Sequence, residues 1–257
     1  MSFFNIEVKE HVGILRFNRP PVNAVSHQVY FDFYAALDEL AANEEVRSVL
    51  FTGSPGIKPF CGGGDLHEFK ELNAETRRNR YDIIDKVLLK YGSFPKPVVG
   101  AINGPAIGVG LSLCALMDIR FAADNVHFMI PDIDRGVVSG HLPKFARLNV
   151  PIGLAKEWIL TGRRFSVIEA YQVGFIDHIC QPNDLFNEAW KVASMIASKT
   201  KDSVKYYKQF FIEAETMPWL DAYIKSHEYS AQLTSSSNSK EGIRAFFEKR
   251  QPNYKED

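Results

Sequence analysis

A chain of 257 residues with 46% hydrophobic residues is long enough to bury one large core, alone or with an appendage. Its 30 Lys and Arg residues against 31 Asp and Glu residues give no basic field, which makes nucleic acid a poor candidate for the main partner. Its three cysteines have no CxxC spacing, so they predict neither a disulfide framework nor a zinc site, and they favour a reducing compartment.

No targeting or membrane segment is evident in the sequence. The N-terminal residues MSFFNIEVKE lack a basic region followed by a long apolar run, and no apolar run approaches the roughly 18 residues of a membrane-spanning helix. We therefore expect a cytoplasmic protein without a membrane partner.

The N-terminal part alternates between strand-like and helix-like segments. Residues 4–8 and 12–17 predict a β-hairpin, because apolar residues alternate on one face. A helix is predicted from the N-cap Ser26 to about residue 43, followed by a strand over residues 46–53. The order strand, helix, strand favours an α/β fold.

Two glycine-rich turns follow, separated by an amphipathic helix over residues 75–91. The first is FCGGGD at residues 60–65, and the second lies between a strand over residues 98–102 and a buried helix over residues 111–117. Glycines permit positive φ and close approach, and the first amides of a helix have no internal acceptors, so such turns can hold negative charge. Relief of crowding is an alternative explanation for these glycines.

Both turns come after a strand and before a helix, so their amides are predicted to meet in one crevice at the strand ends. Two convergent amides form an oxyanion hole, which stabilises negative charge that develops on a carbonyl oxygen. The turns do not match nucleotide-binding loops, because GVG lacks a third glycine and neither turn ends in GK[ST].

The second half of the body has short elements around one polar loop. Residues 118–124 and 126–129 predict short strands, and the loop over residues 131–140 is of a kind that commonly carries functional residues. Two helices and a strand follow before the tail, over residues 152–160, 166–173 and 175–180.

From residue 183 onward the pattern is helical, with predicted helices over residues 185–199, 203–215, 219–233 and 239–249. We divide the chain into an α/β body over residues 1–200 and a helical region over residues 201–257. The aromatic residues of this region are accompanied by too few other apolar residues to form a separate hydrophobic core. We therefore expect the region to pack on the body or on another subunit of a homo-oligomer.

Several motifs resemble the crotonase (enoyl-CoA hydratase/isomerase) superfamily, and together they cover nearly the whole chain. They are FCGGGDLHEF at residues 60–69, INGPAIGVGLSLCALMDIRFAADNVHF at 102–128, PDIDRG at 131–136, LTGRRFSVIEAYQVGFID at 160–177 and EGIRAFFEKRQP at 241–252. The resemblance implies a spiral of ββα units closed by a C-terminal helical trimerisation region, in a trimer or a dimer of trimers. It also implies an acyl-CoA substrate, with coenzyme A carried as part of that substrate and no separate cofactor.

The resemblance also implies positions for the site residues. The thioester oxygen is expected between the amides of Gly64 and Val109. Four positions near the turns match residues that line the coenzyme A pocket, namely Ala24, Gly63, Asp65 and Leu66. Two positions in the tail match residues that reach coenzyme A across the fold, namely Phe246 and Lys249.

The proton-transfer residues depart from the hydratase pattern. A hydratase of this family carries glutamates at the positions of Ser112 and Asp132, so this chain has a serine in one place and a shorter acid in the other. Losing one carboxylate weakens the case for efficient hydration. Family isomerases rely mainly on an acid in the loop of Asp132, so we expect Asp132 to act as base and then as acid. An aspartate that only caps a turn is the alternative.

Ser112 and His141 are further candidates. Ser112 either orients water or substrate, or bonds to the helix backbone. His141 either replaces the missing acid or base, or simply begins a helix. The expected function is that of an enoyl-CoA hydratase/isomerase; the open alternatives are thioester hydrolysis, decarboxylation or C–C cleavage of an acyl-CoA, and a non-catalytic homologue that binds coenzyme A.

Overall fold

The computed structural model describes residues 2–70, 73–140, 143–145, 148 and 150–254. Within these residues the strands are β1 Phe4–Lys9, β2 Val12–Phe17, β3 Ser48–Gly53, β4 Val98–Ile102, β5 Ala106–Ile107, β6 Ile119–Ala123, β7 His127–Met129, β8 Arg164–Ser166 and β9 His178–Cys180. The helices are α1 His27–Ala42, α2 Leu66–Phe69, α3 Ala74–Gly92, α4 Val109–Ala115, α5 Ile152–Thr161, α6 Val167–Gln172, α7 Leu185–Ala197, α8 Lys201–Ala214, α9 Trp219–Thr234 and α10 Ser237–Phe247, with a 3-10 helix over Ile133–Arg135.

The main sheet has six strands in the order β1-β2-β3-β4-β6-β9. β1 and β2 form the predicted antiparallel hairpin, and every later neighbour is parallel. β3 and β4 are buried along their whole length. This burial explains their continuous apolar runs, because parallel strands at the centre of a sheet are covered on both faces. Helix α7 packs against β2, β3, β4, β6 and β9.

The structure confirms the predicted α/β class and shows a second sheet that the sequence did not predict. This sheet has the order β5-β7-β8. β5 has only two residues and lies inside the second glycine turn, so it is too short to show a periodic pattern. Its position matters for the site, because β5 leads directly into α4.

Ser26 caps α1 as predicted: its side chain accepts a hydrogen bond from the Val29 N–H at 3.4 Å. Helix α3 begins at the N-cap Asn73, whose side chain accepts from the N–H groups of Glu75 and Thr76. Helix α3 packs against α1. These contacts fix α3 as one side of the cavity that is described below.

The C-terminal helices α8 to α10 follow the body directly. Helix α8 is joined to the body by Lys208, which is buried and whose Nζ lies 2.5 Å from Asp118 Oδ1. Asp118 also accepts a hydrogen bond from the Val98 N–H at 2.7 Å. The division of the chain at residue 200 stays a prediction. Among the described residues, no helix combines the length and apolar character that crossing a membrane requires.

Candidate active site

The two glycine turns lie side by side, as the sequence predicted. Cys61 and Ala106 form a parallel bridge: the Cys61 N–H donates to the Pro105 carbonyl at 3.2 Å, and the Ile107 N–H donates to the Cys61 carbonyl at 2.9 Å. A Cβ atom on Gly110 would lie only 2.9 Å from the Cys61 Cβ. Glycine is therefore required for α4 to begin this close to the first turn.

The amide of Gly64 is directed away from its strand partner. Gly64 pairs with Val25 in a parallel bridge, in which the Val25 N–H donates to the Gly63 carbonyl at 2.7 Å and the Asp65 N–H donates to the Val25 carbonyl at 2.9 Å. In this pattern the bonds come from the residues on either side of Gly64, so its own N–H points to the opposite side. Gly64 lines the cavity on that side.

The amide of Val109 is the first of helix α4. Gly108 precedes it with φ 52° and ψ −115°, a conformation that favours glycine, and the Gly108 N–H donates to the Met129 carbonyl at 2.9 Å. A first-turn amide has no intrahelical acceptor. Val109 lines the same cavity as Gly64, so the two turns bring two backbone donors to one space.

Asp132 lies beside the start of α4. A Cβ atom on Gly108 would be 3.8 Å from Asp132 Oδ2. The carbonyl of Asp132 accepts hydrogen bonds from the N–H groups of Arg135 at 3.1 Å and Val137 at 3.0 Å, which closes the loop around it. Its carboxylate makes no capping hydrogen bond to the 3-10 helix that follows. The described turn therefore does not use Asp132 as a side-chain cap, and the carboxylate lines the cavity.

A cavity of about 490 Å³ joins these groups. We call one side the backbone wall, formed by residues 62–64 and 107–109 with Ser112 and Asp132 next to it. We call the other side the side-chain wall, formed by α3 and by residues 137–140 and 144. The size is within the usual range for sites that bind small molecules.

The side-chain wall is mixed in character. Three residues of α3 spaced along one face give it an apolar stripe, namely Tyr81, Ile84 and Leu88. The cavity is also lined by four cationic residues and two acidic residues, namely Arg77, Arg80, Arg135, Lys144, Asp85 and Asp132. The excess of positive groups favours an anionic ligand.

Phe69 connects the two walls. Its ring lies 2.8 Å from the place where a Cβ on Gly64 would be, so a larger residue at that position would have to displace the ring. The guanidinium groups of Arg80 and Arg77 lie 5.4 and 5.7 Å from the centre of the same ring. Arg80 also forms an ion pair with Glu68 at 2.5 Å. The side-chain wall is thus held directly against the first glycine turn.

Several titratable groups near the site have altered pKa values. Burial raises the pKa of Tyr30 well above its usual range and raises the pKa of the Cys61 thiol to about 12, so both stay protonated at neutral pH. Burial lowers the pKa of Lys144, and the charge of Asp85 offsets this only in part. Cys61 is therefore a buried apolar residue and not a nucleophile.

Six of the predicted site residues line this one cavity, namely Gly63, Gly64, Leu66, Val109, Ser112 and Asp132. Ser112 is buried within α4.

Two other predicted residues, Ala24 and Asp65, lie behind the first turn. Burial acts to raise the pKa of Asp65, but the hydrogen bonds from Arg19 and from the His67 N–H outweigh it and lower that pKa. Arg19 also donates to the Ala24 carbonyl at 2.8 Å. Ala24 and Asp65 therefore support the shape of the turn and do not line the cavity.

The remaining predicted residues are not at the cavity of this chain. Phe246 belongs to α10 and is 78% exposed, and Lys249 follows the end of that helix with φ 53°. Neither residue lines the cavity. His141 lies outside the described residues.

The cavity residues that the sequence analysis did not predict as site residues include Arg77 and Lys144. Arg77 had a detectable signal, because the stripe of Tyr81, Ile84 and Leu88 continues one helical turn back to position 77. The sequence contains no comparable pattern for Lys144, which follows the polar loop after Asp132 and is not part of a predicted helix or strand.

Comparisons with known proteins agree with this architecture. The family model described as enoyl-CoA hydratase/isomerase matches residues 7–257. The short-chain-enoyl-CoA hydratase of Clostridium acetobutylicum is 30% identical over 248 residues, which cover 95% of this chain and 94% of that protein. The crotonyl-CoA hydratase of Syntrophomonas wolfei is 30% identical over 259 residues, which cover 99% of each chain.

A solved structure is similarly close in shape. The enoyl-CoA hydratase of Mycobacterium smegmatis superposes with a TM-score of 0.93 at 28% identity and covers 99% of each chain. The family model matches nearly the whole chain, and the relatives are similar over their full length, so the similarity is not limited to one motif or segment. The chain therefore belongs to the enoyl-CoA hydratase/isomerase family of the crotonase superfamily.

Proposed function

We propose that the protein hydrates or isomerises an enoyl-CoA thioester. The observation that carries this proposal is the meeting of the Gly64 and Val109 amides and the Asp132 carboxylate in one cavity. The thioester oxygen accepts hydrogen bonds from the two amides, which stabilise the negative charge of an enolate as it develops. The names of the relatives from Clostridium acetobutylicum and Syntrophomonas wolfei support a short enoyl group.

Asp132 moves the proton in this proposal. In isomerisation, its carboxylate takes a proton from carbon 2 of a 3-enoyl thioester, exchanges it in part with solvent, and delivers a proton to carbon 4 while the double bond moves to carbons 2 and 3. In hydration, the carboxylate takes a proton from water as the oxygen bonds to carbon 3, and a proton is delivered to carbon 2. Both reactions are proton transfers in which coenzyme A serves only as part of the substrate.

Ser112 and His141 decide between the two reactions. Ser112 stands where hydratases of the resembling family carry a second glutamate, so hydration by this chain needs another group to orient water. The buried hydroxyl of Ser112 is one candidate, and His141 is the other. Without such a group, isomerisation with one carboxylate is the favoured reaction.

The test uses crotonyl-CoA, a 3-enoyl-CoA and a 3-hydroxyacyl-CoA in deuterated water, with products separated by chromatography and identified by mass. We expect hydration or migration of the double bond with deuterium exchange. Asp132→Asn should reduce turnover by about 10²- to 10⁴-fold. Release of free coenzyme A without either change would instead identify a hydrolase.

Asp134→Asn is the matched control for this variant. Asp134 lies in the 3-10 helix that Asp132 precedes, and it does not line the cavity. It should retain wild-type turnover and thermal stability. Equal activity of Asp132→Asn and Asp134→Asn would refute the role of Asp132.

We propose further that the protein is a homo-oligomer, a trimer or a dimer of trimers, in which Phe246 and Lys249 contact coenzyme A bound to a neighbouring subunit. The exposed aromatic rings at the end of α10 support this arrangement. Light scattering measures the oligomeric state, and a raised KM for acyl-CoA in Lys249→Ala would place the tail at the substrate. A fully active monomer would exclude a contact between this tail and coenzyme A on a neighbouring subunit.

A further inference from the structure

The far side of the cavity presents positive charge to its interior. Lys144 lines the cavity beyond Asp132, in the part of the chain that follows the 131–140 loop. Its Nζ donates one hydrogen bond, to the Gly140 carbonyl at 3.0 Å. An ammonium has three donor hydrogens, so this single neutral acceptor leaves Lys144 with donor capacity for a ligand in the cavity that it lines.

No carboxylate among the described residues forms an ion pair with Lys144 within 4.0 Å. Asp85 of α3 lines the same cavity and attracts the ammonium, but Asp85 is exposed, so water screens its charge. The same wall of the cavity also carries apolar residues, including Ile84 and Val137. Lys144 is thus partly desolvated without a compensating anion in the described protein.

Arg77 adds a second positive group to this wall. Its Nε donates to the Tyr81 hydroxyl at 3.3 Å, and its guanidinium lies 5.8 Å from the centre of the Tyr81 ring. No ion pair joins Arg77 to a carboxylate of the described residues. Arg80, by contrast, is neutralised by Glu68. Arg77 and Lys144 are therefore the cavity-lining cations of the side-chain wall that form no ion pair with a described carboxylate.

A plain hydrocarbon chain fits this wall poorly. It would exclude water from the ammonium of Lys144 and offer no hydrogen-bond acceptor in return. A carboxylate at the end of the acyl chain supplies both the charge and the acceptor oxygens, in a setting where charge-assisted hydrogen bonds are strong. The apolar stripe of Ile84 and Leu88 accommodates the methylene groups between the thioester and that carboxylate.

We propose that the acyl group of the substrate ends in a carboxylate and that Lys144 binds it, with Arg77 adding attraction. This inference rests on the proposed function, since it requires an acyl-CoA in the cavity. The substrate class is then a CoA thioester of an unsaturated dicarboxylic acid. Its chain length is set by the distance from the oxyanion amides to Lys144.

Calorimetry with unreactive ligands tests the proposal apart from turnover. Pairs of equal chain length are compared: pentanoyl-CoA with glutaryl-CoA, hexanoyl-CoA with adipoyl-CoA, and octanoyl-CoA with suberoyl-CoA. We expect the carboxylated member to bind about 10- to 100-fold more tightly at one chain length, as hydrogen bonds to charged groups provide. A ratio of one or less at every length would overturn the proposal.

In Lys144→Met, the carboxylated and the uncarboxylated acyl-CoA of a pair should bind with nearly equal affinity. Lys144→Arg should restore most of the preference for the carboxylated ligand. The matched control is Lys86→Met, because Lys86 is an exposed lysine of α3 that does not line the cavity. It should keep the wild-type ratio. Thermal denaturation of each variant checks that it is folded.

The outcomes separate three explanations. If Lys144→Met weakens both members of a pair equally, Lys144 binds a phosphate of coenzyme A and the proposal is wrong. If the wild type converts an enoyl-CoA but shows no preference for carboxylated ligands, the proposal fails and the proposed function stands. If none of the acyl-CoA ligands binds and no enoyl-CoA is converted, both fail together.

Discussion

The backbone wall and the side-chain wall of the cavity are built from different parts of the chain. The backbone wall presents the amides of Gly64 and Val109, whose positions are fixed by strand bridges and by the start of α4. The side-chain wall presents long side chains of α3 and Lys144, which rotate about several bonds. A fixed donor pair suits the thioester oxygen that every acyl-CoA shares, whereas a wall of side chains suits the part of the substrate that differs.

Among changes to the two walls themselves, the largest effect is expected from removing one donor of the backbone wall. Val109→Pro deletes the N–H at the first position of α4, where proline is compatible with a helix. Turnover should fall by about 10²- to 10³-fold, as for other oxyanion donors. The measurement is kcat with whichever of the three test substrates the wild type converts, beside the thermal midpoint of unfolding.

Val109→Ala is the control, since it keeps the amide and removes only the branched side chain. It should retain turnover to within about tenfold, because a change of one or two methyl groups alters packing by about 1 kcal/mol. If Val109→Pro is folded and as active as Val109→Ala, the amide of Val109 is not a donor in the reaction.

The two walls also differ in how far sequence predicts them. The backbone wall depends on local patterns, FCGGGD and GVG, and their convergence follows from a strand before each turn and a helix after it. The structure agrees, although β5 inside the second turn was too short to predict. The sequence predicts a role for Asp132 from its place in the polar loop. In the structure, Asp132 Oδ2 lies 3.8 Å from the position that a Cβ on Gly108 would take, so Asp132 is beside the second turn.

The side-chain wall depends on longer-range geometry. The predicted apolar face of α3 splits in the structure, because Val87 is buried in the core while Ile84 and Leu88 line the cavity. Periodicity alone does not distinguish these two environments, since both favour apolar residues. No local pattern in the sequence predicts that Lys144 lines the cavity, and Phe246 is exposed on α10 and does not line it.

A second prediction tests whether the backbone wall requires its close packing. Gly110→Ala places a methyl group 2.9 Å from the Cys61 Cβ and 3.0 Å from the Cys61 carbonyl oxygen. Because part of this contact is backbone, α4 has to move away from the first turn. We expect a loss of about 1–3 kcal/mol in the free energy of unfolding, as overpacked cores show. Chemical denaturation measures it.

Gly153→Ala is the matched control. A Cβ on Gly153 would have no atom within 4 Å, and the residue lies in the first turn of α5. Alanine there should be neutral or should stabilise the protein by up to about 1 kcal/mol, because it reduces the freedom of the unfolded chain. Equal stabilities of Gly110→Ala and Gly153→Ala would show that α4 and the first turn are not in tight contact.

The smallest effect is expected on the side-chain wall, where a change should alter the choice of acyl group without altering the chemistry. Leu88→Ala enlarges the cavity at the end of the apolar stripe. The ratio of kcat/KM for a longer enoyl-CoA to that for crotonyl-CoA should rise about tenfold, since each methylene in an apolar pocket contributes about 1–3 kcal/mol.

Leu89→Ala is the control, because Leu89 is 73% exposed and does not line the cavity. If both variants change the ratio equally, or if Leu88→Ala lowers turnover of all substrates alike, α3 supports the fold of the site and does not select the acyl group.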